Sequence, residues 1–217
     1  MKSCRGKMGA ALSDRVYRKL YRRIVTGKLK PGQRITELQI AKSEGVSQAP
    51  VREALKRLAE DRLVDLIPRS GCYVCKLTHD EIAEIYDIRE RLECLAMEYA
   101  FDKFDRKKIE GLREKFHKCL NLKGKGFTRE ELKLDSQLHT LIYETAGGKH
   151  LWDVLNRLHA KIEIFRTREA QASRAEIAIE HHIAILDAIL TGKKNKALRL
   201  LENHIETSRK YVLSLFA

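Results

Sequence analysis

What the chain lacks narrows the reading first. It has no apolar run near the ~18 residues of a membrane span, no stretch laid out like a secretory leader, and no amphipathic pattern setting a lysine face against exposed aromatics. A membrane partner is therefore not expected. Its five cysteines (Cys4, Cys72, Cys75, Cys94 and Cys119) are odd in number and scattered, which argues against a disulfide framework and for a reduced, intracellular setting. Cys72 and Cys75 have the spacing of a metal or redox pair. They fall within one predicted strand, where residues three apart face opposite sides, and no second pair follows, so they are read as structural. Beyond residue 75 no segment alternates with a period of two, which leaves the second part of the chain without strands. Neither an internal repeat nor a low-complexity tract is present.

Negative charge is scarce only in the first third. Residues 1–75 hold 17 Lys/Arg against 7 Asp/Glu, a net of +10, whereas residues 76–217 hold 26 against 23, a net of +3. The excess of the +13 total is thus concentrated where a polyanion would be bound, as release of DNA counterions requires. A length of 217 residues suits one large domain or two small ones.

The most informative stretch is Thr36 to Leu58, TELQIAKSEGVSQAPVREALKRL. Thr36 with Gln39 predicts a capping box that starts a short helix, and Gly45 stops it. Ser47 can cap a second helix, whose first turn tolerates Pro50. Val51, Ala54, Leu55 and Leu58 form its apolar stripe, leaving Gln48, Ala49, Arg52, Lys56 and Arg57 outward. Two short helices joined at a glycine, the second with a cationic outer face, predict a helix-turn-helix. The plainer alternative is two packed helices with a solvated face. Upstream, Val16, Leu20, Ile24 and Val25 predict a helix over 12–26. Downstream, Leu63–Ile67 and Cys72–Cys75 read as strands joined by a Pro68-Arg69-Ser70-Gly71 turn. The whole is a winged helix, its wing tip offering Arg69 and a flexible Gly71 to the DNA backbone and minor groove.

The predicted organisation is a basic flexible arm (1–11), the winged helix (12–75), a linker (76–77) and an all-helical domain (78–217). The fold class is mainly α: a winged helix-turn-helix followed by an antiparallel bundle of about six helices. Thr78 with Glu81 predicts a capping box opening a helix to about Phe101, with the stripe Ile82, Ile85, Ile88, Leu92, Leu95 and Tyr99. Further helices are predicted over about 106–122, from a Thr128/Glu131 cap to Gly147, over about 150–169, from a Ser173/Glu176 cap to Gly192, and over about 195–215. Lys123–Gly126 breaks the chain.

Histidines make the bundle chemically informative. Asp135 and His139, four apart, share a helix face flanked by Leu134, Leu138, Leu141 and Ile142. His182 lies between Ile179 and Ile185, and His204 beside Leu200, Leu201 and Ile205. One carboxylate and three imidazoles converging on a core suit a divalent transition metal and argue against calcium. From spacing alone these residues can equally be hydrogen-bonded core histidines, and His181 competes with His182.

Residues 12–75 resemble the N-terminal domain of GntR-family bacterial transcription regulators. The likeness rests on GKLKPGQRI (27–35), GVSQAPVREALKRL (45–58) and LV…RSGCYV (63–74). Residues 78–215 resemble the FCD effector-binding domain of the FadR-like subgroup, through YDIRERLECLA (86–96), DSQLH (135–139) and EHHIAILDAILTGKKNKALRLLENHI (180–205). The resemblance implies a metal held by Asp135, His139, His182 and His204, favouring His182 over His181. Zinc is the first choice, with nickel, manganese or iron as alternatives. It implies a small organic acid against that metal, with Arg89 and Tyr143 as effector-binding candidates. An arginine fork suits a carboxylate, although Arg89 can also form a surface ion pair with Glu93. Implied too are a homodimer, a bacterial cytoplasmic, nucleoid-associated location, and binding to a pseudo-palindromic double-stranded operator. Arg52 and Gln48 are assigned to base edges and Arg34, Ser47, Lys56 and Arg69 to phosphates, with Ala49, Ser70 and Gly71 at the same interface. Departures from the pattern are Leu38 and Gln48, where many members carry arginine, so the operator should differ: Gln48 suits adenine where arginine prefers guanine. The function expected is repression relieved by the acid, without enzymatic activity. The rivals are a metal-dependent enzyme in the bundle and an architectural DNA binder with no effector.

Overall fold

The first helix, α1 (Lys2–Val25), begins at Lys2 and not at Leu12. Residues 2–11, expected as a flexible arm, are included in α1. These coordinates are a computed structural model describing residues 2–121, 129–165 and 175–215. The caps expected at Thr128 and Ser173, and the break at Lys123–Gly126, lie outside the described residues. The chain divides into two compact units. One is the chain up to Leu77 with the end of the helix that closes at Phe165; the other is the remainder.

In the first unit, Val16, Leu20 and Ile24 of α1 are buried, as are Val51, Ala54, Leu55 and Leu58 of the third helix. The helix-turn-helix is α2 (Glu37–Glu44) and α3 (Gln48–Glu60). Gly45 ends α2 in the left-handed region (φ 64°), which a residue with a Cβ enters only with strain. Thr36 and Ser47 occupy the two N-cap positions but make no side-chain cap hydrogen bond. The expected Thr36/Gln39 capping box does not form; Gln39 is exposed, and water can meet the first-turn N–H groups. The wing is β2 (Val64–Ile67) and β3 (Gly71–Val74), antiparallel with Val64 opposite Val74 and Ile67 opposite Gly71. A third strand, β1 (Arg34–Ile35), pairs with the other edge of β3, giving the order β1-β3-β2. Two residues are too few to alternate, so sequence patterning could not reveal it. Cys72 is buried and Cys75 half-buried, and neither forms a disulfide.

The second unit contains α4 (His79–Ala100), a 3-10 turn (Phe101–Lys103), α5 (Arg106–Leu120), α6 (Arg129–Ala146), α7 (Lys149–Phe165) up to His159, α8 (Ala175–Leu190) and α9 (Lys194–Ser214). The Thr78/Glu81 capping box is complete in both directions. Helix α4 packs on α6 and α9, α5 on α6 and α8, and α8 on α9, so these five helices close a ring.

The buried face of α4 differs from the predicted stripe. Ile82 and Ile85 point inward, but the face continues through Tyr86, Arg89, Glu93, Ala96, Met97 and Ala100. Ile88 and Tyr99 are instead 40% and 52% exposed. The apolar stripe was drawn through the hydrophobic residues, whereas the helix turns an Arg–Glu pair into the core.

Candidate functional site

Inside the ring, α6 supplies Asp135 and His139, α8 His182 and α9 His204. All four side chains are buried, with exposure of 1% or less. One potential ligand atom from each lies within 4.8 Å of every other. His182 Nε2 is 3.3 Å from His204 Nε2 and 3.2 Å from an Asp135 carboxylate oxygen. His139 Nε2 is 4.0 Å from the same oxygen. The Phe116 ring of α5 packs against His182 at 4.9 Å between centroids, closing that side with carbon. Of the competing pair, His182 joins the cluster; His181 stands behind it, its ring 6.0 Å from that of His204.

The donor set fits a divalent transition metal: three imidazoles and one carboxylate, small separations, and no water-exposed edge. Burial, followed by the closeness of the His182 and His139 rings, pushes the His204 pKa well below the usual histidine range. His204 is therefore neutral, the form that can ligate.

A carboxylate backs the cluster. Glu93, fully buried on α4, lies 2.7 Å from His139 Nδ1 and accepts from Tyr143 Oη at 2.6 Å and from Arg89 Nε at 2.5 Å. Burial pushes the Glu93 carboxyl up, but the Arg89 guanidinium, with the hydrogen bonds from His139 and Arg89, overcomes it and holds the group well below the usual carboxylate range. Tyr143 moves the other way, raised by burial and then by the Glu93 charge, so it remains a phenol that donates. An ionised Glu93 takes the hydrogen on His139 Nδ1 and leaves the lone pair on Nε2, facing the cluster. This is the carboxylate–histidine arrangement that orients metal ligands. Arg89 also reaches His139, its Nη2 lying 3.1 Å from Nε2 and 3.4 Å from Nδ1. The surface Arg89–Glu93 pair considered from sequence is corrected: both partners are buried, and the pair belongs to the cluster.

Sequence reasoning missed two residues here. Glu93 was weighed only as a surface partner, although it aligns with Arg89, Met97 and Ala100 on one face. His159 of α7 is also buried, its ring 6.0 Å from His139 and 6.3 Å from Tyr143. Its position four after Leu155 and three before Ile162 was the available signal.

In the first unit, Ser47, Gln48, Ala49, Arg52 and Lys56 are all exposed along α3. Arg52 Nη2 pairs with Glu37 of α2 at 3.1 Å. The pair is exposed and screened by solvent, so it holds Arg52 only weakly. Arg57, expected to point outward with them, is half-buried: it pairs with Asp14 and lies 4.5 Å above the Tyr17 ring. At the wing, Arg69 takes a left-handed conformation (φ 62°) at the exposed tip. The Arg34 guanidinium lies over Gly71, where an added Cβ would sit 3.2 Å from its Nε. Gly71 has φ 128°, a backbone conformation that favours glycine, while the exposed Arg34 side chain could yield to a Cβ. Ser70 Oγ and Tyr73 Oη are 2.9 Å apart, bracing the turn.

No helix among the described residues is long and apolar enough to cross a membrane. Residues 12–74 match the family described as bacterial regulatory proteins, gntR family, and residues 84–207 match the FCD domain. An uncharacterised HTH-type transcriptional regulator of Bacillus subtilis, YdhC, is 32% identical over 202 residues, covering 92% of this chain and 85% of its own. The gluconate operon transcriptional repressor of the same organism is 31% identical, covering 90% and 82%. Among solved structures, McbR/YncC of E. coli shares the fold with a TM-score of 0.82 at 22% identity, covering 95% of this chain and 99% of that one. The two Bacillus subtilis relatives are named as regulators of transcription, not as enzymes. The chain belongs to the GntR family of bacterial transcription regulators and carries that family's winged helix-turn-helix joined to an FCD domain.

Proposed function

We propose that this regulator is a homodimeric, cytoplasmic repressor whose operator affinity is set by a small carboxylate bound beside a divalent metal in the FCD domain. The observation that carries the reading is the buried cluster of Asp135, His139, His182 and His204 with Arg89 against it. A divalent transition metal, when bound there, supplies a Lewis-acidic anchor with open positions for a carboxylate. Asp135 neutralises part of its charge. Glu93 holds His139 in the tautomer that ligates, Tyr143 and Arg89 hold Glu93, and Phe116 keeps water from one side.

On the DNA side, the dimer places two α3 helices in successive major grooves, with half-sites roughly 10 bp apart. Gln48 and Arg52 read base edges, Gln48 favouring adenine. Ser47, Lys56, Arg34 and Arg69 hold phosphates, while Ala49, Ser70 and Gly71 let the backbone come close. The acid changes repression only by binding the two DNA-affinity states unequally.

The test is fluorescence anisotropy of the zinc-loaded protein on operator fragments selected from random DNA, with a panel of small carboxylates. The reading requires at least one acid to weaken binding of wild type and to leave His139→Ala unaffected. Indifference to every acid across the panel, at unchanged DNA affinity, would leave an architectural binder instead.

A further inference from the structure

One apolar side chain stands out on the polar face of the helix-turn-helix. Leu38, the second residue of α2, is 63% exposed, more than any other large apolar residue among those described. Ile40 and Ala41 form the buried face of α2 and leave Leu38 on the solvent side. Glu37, the residue before it, holds Arg52 of α3: Arg52 Nη2 and Nε lie 3.1 and 3.3 Å from one Glu37 carboxylate oxygen. The first turn of α2 therefore lies against the outward face of α3, one turn past Gln48. Thr36 and Glu37 also wall a cleft whose far side is the wing, with Arg69 and Gly71. Side chains tilt toward the N-terminus of a helix, so Leu38 leans toward this same end of α2.

We propose that Leu38 reads a thymine of the operator through its C5 methyl group. This rests on the reading of α3 as the helix that enters the major groove. Base edges in that groove are hydrogen-bond donors and acceptors with one apolar exception, the thymine methyl. Leucine has neither donor nor acceptor. Against any other edge it strips water from a polar group and returns no hydrogen bond, which costs affinity. Against the methyl it buries two apolar surfaces at once. The thymine belongs to the same half-site as the base pair that Arg52 reads, because Leu38 is next in the chain to the Glu37 that holds Arg52. Leu38 thus adds sequence preference without adding charge, and its contribution does not fall with salt as a phosphate contact does.

The experiment is fluorescence anisotropy of the full chain on an operator fragment selected from random DNA. Each thymine of the half-site is replaced in turn by deoxyuridine, which lacks only the C5 methyl. At one position the change should weaken wild type about fourfold per half-site. Leu38→Ala should bind the thymine and deoxyuridine fragments at that position within about 1.5-fold of each other. Selection repeated with Leu38→Arg should replace that thymine, most often by guanine. Leu38 is exposed, so both variants should match wild type in far-UV circular dichroism. If Leu38→Ala still discriminates at unchanged affinity, another side chain such as Ala49 reads the methyl, and the proposal is overturned. If it still discriminates but binds both fragments more weakly, Leu38 packs on deoxyribose, which also overturns it. A change in sedimentation of DNA-free Leu38→Ala would make the residue a contact between copies and overturn it too. If no thymine responds to deoxyuridine, the proposal fails while α3 keeps its base-reading role on the Arg52→Ala result. A protein that selects no sequence removes both.

Discussion

Replacing Glu93 by alanine should be among the most damaging single changes in the FCD domain. The side chain is fully buried and takes three short hydrogen bonds, from Arg89, His139 and Tyr143. Its removal leaves the Arg89 guanidinium charged and buried, with its best partner gone. Breaking a buried pair in this way costs about 3–5 kcal/mol, while replacing both partners with apolar groups is often close to neutral. Glu93→Ala should therefore lower Tm by on the order of 10 °C, at ~2–4 °C per kcal/mol for a domain of this size. The double variant Arg89→Met/Glu93→Leu should recover most of that loss, a non-additivity expected of residues in direct contact. Urea unfolding followed by far-UV circular dichroism reads both. A Glu93→Ala cost under about 1 kcal/mol would show that the ion pair is not a buried structural element. A double variant as unstable as the sum of the singles would refute the idea that the isolated charge, rather than lost packing, sets the cost.

The metal-free protein should lose stability as pH falls below about 6.5, because His204 is held neutral when folded and takes up a proton once unfolded. One such group contributes a slope of up to about 1.4 kcal/mol per pH unit. Urea midpoints between pH 7.5 and 5.5 should fall less for His204→Gln than for wild type, and equal slopes would count against its burial as a neutral group. A second loss sets in below about pH 4.3, where an unfolded Glu93 protonates but the folded one, held low by Arg89, does not. At the DNA surface, Arg52→Ala should cost about 1–3 kcal/mol on the selected operator and relax sequence preference, whereas Lys56→Ala should weaken all sequences alike and lower the salt slope by about one. Anisotropy titrations at several salt concentrations separate the two, and interchanged behaviour would reverse the assignments of base and phosphate contact.

The winged helix was almost fully legible because its signals are local. Gly45 ends α2, the Val51–Leu58 stripe faces the core, and a turn at Pro68–Gly71 joins the two wing strands. What escaped there was β1, which is too short for a pattern, and the pairing of Arg57 with Asp14 and Tyr17, 40 or more positions away in sequence. In the FCD domain the four clustered residues were readable as an i,i+4 pair and two histidines on apolar faces. Their surroundings were not. Hydrophobicity assigned α4 to the face holding Ile88 and Tyr99, since a buried arginine and glutamate look like surface residues until the partners of both are known. Those partners, His139 and Tyr143, lie on another helix, and only the ring of helices brings them together.

The central claim is that Asp135, His139, His182 and His204 together hold a metal. The most direct test is elemental analysis of the protein after incubation with zinc and removal of free ion, beside His139→Ala and His204→Ala variants shown to be folded. About one zinc per chain in wild type, and far less in both variants, is the predicted result. No zinc in wild type, or an equal content in the variants, would contradict it.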